Sequence, residues 1–374
     1  MDSKKSVKLS TKLAALSLAL LSAQANAAIQ FAPPVNYPTG SSGGPGPAAE
    51  SMIAADLNGD GAADVVAADW FGSGIRVFMN NGIGGFGPAI VTSLGGSTGS
   101  VSSGDFNFDG KADVATATGS ELIVLRGLGN GSFAETERFP LTVSGQIQAY
   151  VFDTNLDGRA DIVAPTGSGV QVFLGQGNGH FAVGPLTPVT GFFSAMSKAN
   201  FNNDGIADIV VADAAGQRAI MMRGNGNGSF TQFATGTVGL GPEDIIAGDL
   251  NRDGIDDVAT ADSFSFTVSV LLSNGLGGFS PAVRYYGGLG PVSLRLADFD
   301  RDGDLDIAEA TVVGSTVQVF ANLGMGQFAT PLALSTTNQP QTPAVADYNR
   351  DGKLDIAVAG PGTMSVLRNT TIIP

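Results

Sequence analysis

Residues 56–64 read Asp56-Leu57-Asn58-Gly59-Asp60-Gly61-Ala62-Ala63-Asp64. Oxygen-bearing side chains stand at positions 1, 3, 5 and 9 of this nonapeptide, and a glycine stands at position 6. The pattern returns at 105–113 (DFNFDGKAD), 153–161 (DTNLDGRAD), 200–208 (NFNNDGIAD), 249–257 (DLNRDGIDD), 298–306 (DFDRDGDLD) and 347–355 (DYNRDGKLD). Successive copies start 49, 48, 47, 49, 49 and 49 residues apart. Seven copies at so regular a period identify a repeat architecture. Each unit is too small to bury a core alone and must stack on its neighbours.

Short oxygen side chains at alternate positions of a curled loop converge on one centre. A hard cation such as calcium takes six to eight oxygen ligands at about 2.3–2.6 Å. The glycine permits a turn that a Cβ would resist. The expected ligands in the first loop are Asp56, Asn58, Asp60, the carbonyl of Ala62 and a bidentate Asp64. The second and third sets are Asp105, Asn107, Asp109, Lys111 and Asp113, then Asp153, Asn155, Asp157, Arg159 and Asp161. The fourth and fifth are Asn200, Asn202, Asp204, Ile206 and Asp208, then Asp249, Asn251, Asp253, Ile255 and Asp257. The last two are Asp298, Asp300, Asp302, Asp304 and Asp306, then Asp347, Asn349, Asp351, Lys353 and Asp355. The residue at position 7 contributes its backbone carbonyl in every set. Up to seven Ca2+ ions are expected, the fourth weakest because Asn200 replaces an aspartate. An EF-hand is excluded, since it needs a glutamate at position 12 and flanking helices.

Around each loop the pattern is that of short strands. An apolar segment leads in, as at 292–297, and a second follows the last Asp, as at 65–68. A Gly/Ser/Thr turn leads to a third, as at 75–79. A glycine-rich turn then ends at Phe86, Phe133, Phe181, Phe230, Phe279 or Phe328, and a fourth strand follows. Four short antiparallel strands per repeat make a β-propeller blade. The seventh unit lacks the Phe turn. The segment 30–37, with Phe31 in the phenylalanine slot, is expected to complete it. The expected fold is thus all-β: a seven-bladed β-propeller of four-stranded antiparallel blades. Residues 28–374 form one domain, closed by pairing of the N- and C-terminal strands. Closure removes the open edge that would template aggregation.

The chain has 374 residues, no cysteine, 19 basic and 34 acidic residues, and a formal charge of −15. The loops hold three carboxylates each at positions 1, 3, 5 and 9, except two in the fourth and four in the sixth, so 21 of the 34 are placed for metal. This acidity argues against nucleic acid as a partner. Lys4, Lys5, Lys8 and Lys12 precede an apolar run at 13–21 and the sequence Ala25-Asn26-Ala27. Residues 1–27 therefore read as a secretory signal peptide, which predicts an exported protein, secreted or periplasmic. The apolar run is too short to span a bilayer, and no other membrane span is expected. The lone histidine, His180, aligns with Gly85, Ser132, Ser229, Gly278 and Gln327, which marks a turn residue rather than a catalytic one.

The seven Asp loops and the Gly-x-Phe turns, such as Gly129-Asn130-Gly131-Ser132-Phe133, resemble FG-GAP/VCBS repeats, related in architecture to the β-propeller of integrin α-subunits. The resemblance spans about Phe31 to Asn369. It implies seven blades with calcium in the loop joining the first two strands of each. Integrin propellers carry such loops on only some blades; here all seven have one. On the face away from the loops, Trp70, Phe71, Phe192, Phe193, Phe264 and Phe266 stand in Gly/Ser-rich turns. Such aromatics serve as platforms for sugar rings or partner side chains. The expected function is a calcium-binding propeller acting as a binding or adhesion module for a glycan or an extracellular surface protein. The alternative is a carbohydrate-active enzyme such as a calcium-assisted polysaccharide lyase. It would draw its basic residue from Lys198 or Arg295 in the first strands. No catalytic residue is assigned.

Overall fold

The computed structural model describes residues 28–40, 51–69, 74–141, 148–336 and 339–372. Within them are 28 strands and no helix. Among the described residues no helix is therefore long and apolar enough to cross a membrane. The strands form seven four-stranded antiparallel sheets. Blades 1 to 6 occupy residues 52–93, 98–140, 150–188, 193–237, 242–286 and 291–335. Blade 7 combines residues 343–367 with 35–38. The first strands of successive blades touch one another in an unbroken ring.

Closure occurs as the sequence predicts, but the closing strand is shorter. Val35–Pro38 pairs antiparallel with Thr363–Leu367, and Phe31 makes a single bridge to Asn369. Pro33 and Pro34 have no N–H to give the ladder, so the expected strand over 30–37 is interrupted. The same chemistry divides the blades into two kinds. In blades 1, 5 and 6 a proline follows the turn Phe (Pro88, Pro281, Pro331), and Phe86, Phe279 and Phe328 make only isolated bridges. In blades 2, 3 and 4 the fourth strand runs unbroken from Phe133, Phe181 or Phe230 for eight residues, each with a register shift.

The second strand of each blade is sandwiched on both faces. Asp306–Thr311, for example, is buried at every residue. Such strands need near-continuous apolar runs rather than alternation. Ile307 packs in the seam with blade 5 and Ala308 in the seam with blade 7. Each fully buried Val, Ile or Phe in these seams stabilises the fold by about 1.5–3 kcal/mol.

The first strands present one backbone edge to the central channel. An unpaired edge N–H must find another partner. Here side chains of the preceding blade supply it. Ser51 Oγ accepts from Val101 N–H (3.4 Å), and Ser100 Oγ from Ala149 N–H (3.2 Å). Tyr150 OH accepts from Met196 N–H (3.3 Å), Ser197 Oγ from Ala247 N–H (3.2 Å), and Asp244 Oδ2 from Leu294 N–H (2.9 Å). Period-2 alternation aims these residues at the neighbouring strand.

A chain lacking residues 1–38 leaves Thr363–Leu367 as an open edge. It is expected to melt at lower temperature and to elute as oligomers on size exclusion; a monomer with unchanged melting would contradict the closure.

Candidate metal loops and ligand face

The loops share one internal geometry. Asp56 accepts the N–H of Gly59 on Oδ1 and of Gly61 on Oδ2, both at 2.8 Å. Asn58 Oδ1 accepts from Asp60 N–H (2.9 Å), and Asp60 Oδ1 from Ala62 N–H (2.7 Å). The curl requires positive φ at position 4 as well as at the glycine. Gly59 has φ 75°, and Phe108, Leu156, Asn203, Arg252, Arg301 and Arg350 lie between 54° and 63°. Holding a side-chain-bearing residue there costs about 1–3 kcal/mol, a strain that clusters at functional sites.

The ninth residue does more than the sequence shows. Asp64 Oδ2 accepts from Leu57 N–H (3.0 Å), and its Oδ1 from Asn80 N–H (2.7 Å), at the end of the third strand. Asp113, Asp161, Asp208, Asp257, Asp306 and Asp355 make the same pair of bonds in their blades. All seven are at most 1% exposed. A carboxylate oxygen with one such bond keeps lone-pair capacity for a cation. Burial pushes Asp306 up to about 8, Asp257 to about 7 and Asp355 to about 6; their backbone donors pull the other way.

In blade 6 three carboxylates of the loop converge so that they could hold a cation. Oxygens of Asp298, Asp300 and Asp306 lie within 4.8 Å of one another. Asp298 Oδ1 and Asp300 Oδ2 are buried with no hydrogen-bond partner. Burial, then the charge of Asp302, pushes Asp300 up to about 6. Converging buried oxygens without donors fit a hard cation. The other loops carry Asn at position 3, whose Nδ2 donates to the position-5 Asp, as Asn58 does to Asp60 at 2.9 Å. In the fourth loop the Asn200 N–H is held by Asp256 Oδ2 of the next blade at 2.7 Å.

Position 4 also links loops across seams, which sequence reasoning missed. Arg252 Nε lies 2.6 Å from Asp304 Oδ1, and Arg350 Nη2 lies 3.2 Å from Asp60 Oδ1. Asn322 Nδ2 donates to Leu250 O (2.9 Å), Asn369 Nδ2 to Phe299 O (2.8 Å) and Asn80 Nδ2 to Tyr348 O (2.9 Å). Blades 5, 6, 7 and 1 are thereby joined loop to loop. The signal was present as Arg at position 4 of the last three loops.

The repeat profile described as FG-GAP-like repeat matches residues 56–116, 105–164, 200–260, 249–308 and 310–358, well over half of the chain. The chain belongs to the FG-GAP-like repeat family. Among solved structures, this FG-GAP propeller is similar to an Agrocybe aegerita lectin described for specific recognition of non-reducing terminal N-acetylglucosamine. The TM-score is 0.56 at 21% identity, over 84% of this chain and 87% of that one. It is also similar to BBS1N crystallised in complex with ARL6DN, with TM-score 0.63 at 15% identity, over 92% and 98%. At these identities the likeness concerns the fold. No curated protein matches the chain.

On the face opposite the FG-GAP loops, Phe264 is 73%, Phe192 48% and Phe266 42% exposed. Leu240, Leu289 and Val313 are exposed in turns of the same face, a feature the aromatic reading overlooked. Phe193 departs from expectation. It opens the strand Phe193–Ala199 and is buried in the seam between blades 3 and 4, so it offers nothing to a ligand. Trp70 and Phe71 lie outside the described residues. His180 is an exposed turn residue with Nδ1 2.8 Å from Glu137 Oε1. Arg295 lines a central cavity of about 200 Å³, which Lys198 does not. Arg295 Nη1 lies 3.6 Å from Asp244 Oδ2, and Lys198 Nζ lies 5.8 Å from the Phe152 ring centre. The two basic residues thus do not meet beside one groove.

Two outcomes are expected in excess chelator. Asp355→Asn, which replaces an acceptor of two backbone N–H groups, destabilises by about 1–3 kcal/mol in urea unfolding. Asp351→Asn, exposed in the same loop, leaves metal-free stability within about 0.5 kcal/mol. The raised carboxyls also set a pH dependence. Between about pH 4 and pH 8 they hold protons in the folded chain that the unfolded chain has released. Metal-free stability therefore falls as pH rises through that window, readable as a lower melting temperature at pH 8 than at pH 5.

Proposed function

We propose that this protein is an exported, calcium-stapled propeller that binds a glycan on the face opposite its metal loops. The observation that carries the reading is the set of exposed Phe192, in the turn entering blade 4, and Phe264 and Phe266, in a turn of the adjacent blade 5, on one face. Exposed aromatic rings away from any core suit the apolar faces of sugar rings. The shared fold of a lectin that recognises terminal N-acetylglucosamine supports a glycan, and the BBS1N complex is a case of this fold engaging a protein. Export is supported by the basic start, the apolar run at 13–21 and Ala25-Asn26-Ala27.

Calcium is favoured for the loops because every side-chain donor is a hard oxygen. Blade 6 gathers Asp298, Asp300, Asp302, Asp304 and Asp306, with Arg252 offsetting part of that charge, and is the strongest site. Blade 4, with Asn200, is the weakest. Affinities of extracellular modules, about 0.1–1 mM, with roughly 1 mM calcium give about 0.4–1.4 kcal/mol per site. Summed over seven loops this is comparable with the stability of a domain.

Chelation with EGTA is expected to lower the melting temperature by many degrees, with Asp300→Asn removing the tightest class of sites in a calcium titration. An unchanged melt would sink the calcium assignment. On a glycan panel, the double variant Phe264→Ser/Phe266→Ser is expected to lose at least about tenfold in affinity, a loss of about 1.4 kcal/mol. Its melting should be unchanged. A panel with no binding at all, with or without calcium, would reject the glycan.

A further inference from the structure

The fourth residue of the second strand is small or apolar in six blades: Ala67, Thr116, Ala164, Val211, Thr260 and Val358, all buried. In blade 6 it is Glu309. This side chain is 0% exposed, and neither carboxylate oxygen has a hydrogen-bond partner. It shares the strand face of Ile307, which packs against blade 5. Its Oε1 packs so closely on Gly287 that a Cβ there would overlap it. The Gly287 N–H donates to Phe266 O at 2.9 Å. The carboxyl therefore sits directly beneath the turns that carry Phe264, Phe266 and Leu289.

An isolated ion is not tolerated in such a place. The charged groups on the elements packed around Glu309 do not relieve it. On blade 5, Asp262 is a like charge whose oxygens already take the hydroxyls of Thr260, Thr267 and Ser269. Arg284 donates to Val238 O, Tyr285 OH accepts from Phe328 N–H, and Tyr286 is exposed. On the first strand of blade 6, Arg295 turns to Asp244. On the third strand, Gln318 stands opposite and is neutral. On its own strand, the other acid is Asp306 in the metal loop. A cation would need several oxygens, and Glu309 alone has carboxylate oxygens uncommitted here. Burial pushes the carboxyl well above the usual range, and Asp262 adds to the effect.

We propose that Glu309 carries a proton in the folded ring, and that its loss loosens the seam between blades 5 and 6 beneath the 264–266 and 287–290 turns. The ring thereby holds a pH-sensitive support under its ligand face. The link to ligand binding rests on the glycan reading of that face; the protonation does not.

The test uses the full chain in saturating calcium, which keeps the metal-loop carboxylates ionised, and compares it with Glu309→Gln and Glu309→Val. Above the ordinary glutamate pKa of about 4.3 the unfolded chain releases this proton and the folded chain retains it. The unfolding constant of the natural chain is therefore expected to rise by up to about tenfold per pH unit relative to Glu309→Gln. Hydrogen exchange at 264–266 and 287–290, corrected for its intrinsic pH dependence, should quicken at alkaline pH in the natural chain and not in the variant. An infrared band of a protonated carboxylic acid should be present at pH 7 and absent from both variants. Parallel pH profiles without that band would overturn the proposal. So would an advantage of the natural chain over Glu309→Gln that grows with sodium, potassium or calcium concentration, since a cation would then hold the carboxylate. Neither result depends on the glycan panel.

Discussion

Each blade depends on one buried carboxylate that accepts two backbone N–H groups. The ninth loop residue, Asp64 and its six counterparts, ties the start of the loop to the end of the third strand. The first, second and third strands are thereby fixed at one end before any metal is considered. The cost is desolvation, visible in the raised carboxyls of Asp257, Asp306 and Asp355. A cation would relieve it by supplying the opposite charge that the interior lacks. A cation held there would draw on the same atoms as the loop's own fold, and a site of that kind would couple ligation to stability.

The seams show a second division of labour. Apolar side chains on the second strands fill them, hydroxyls and one carboxylate cap the inner edges, and arginines and asparagines join the outer loops. Asp244 is the charged member of the inner set, and Arg295 is its counterion rather than an obvious catalytic base. The regularity breaks on the opposite face, at Phe264 and Phe266, and beneath them at Glu309.

The fold was legible because period carries more information than propensity. Seven nonapeptides 47–49 residues apart dictate blade number, and the missing Phe turn of the seventh unit points to Phe31. Prolines at 33 and 34 were visible too, and they account for the shorter closing strand. The backbone-capping role of Asp64 was hidden, since an aspartate expected to bind metal and one that caps backbone look alike in a linear pattern. Phe193 was misjudged for a related reason: two adjacent aromatics at a strand start point to opposite sides, and only Phe192 faces water. Glu309 could have been found by aligning the second strands, where it is the lone acid at its slot.

Blade 7 is built from the two ends of the described chain. Asn36 Oδ1 accepts the Ser365 hydroxyl at 2.9 Å across 329 positions of sequence. During synthesis the closing strand is made before all the blades, and its partner after six of them. The ring cannot be sealed until the strand Thr363–Leu367 has been made. Pairing of such distant segments pays its loop entropy before any contact rewards it, and is intrinsically slow. The strand Val35–Pro38 must therefore wait longest for its partner among the described strands, which makes closure the natural last step in forming the ring and the interval before it the time of greatest exposure to strand exchange with another copy.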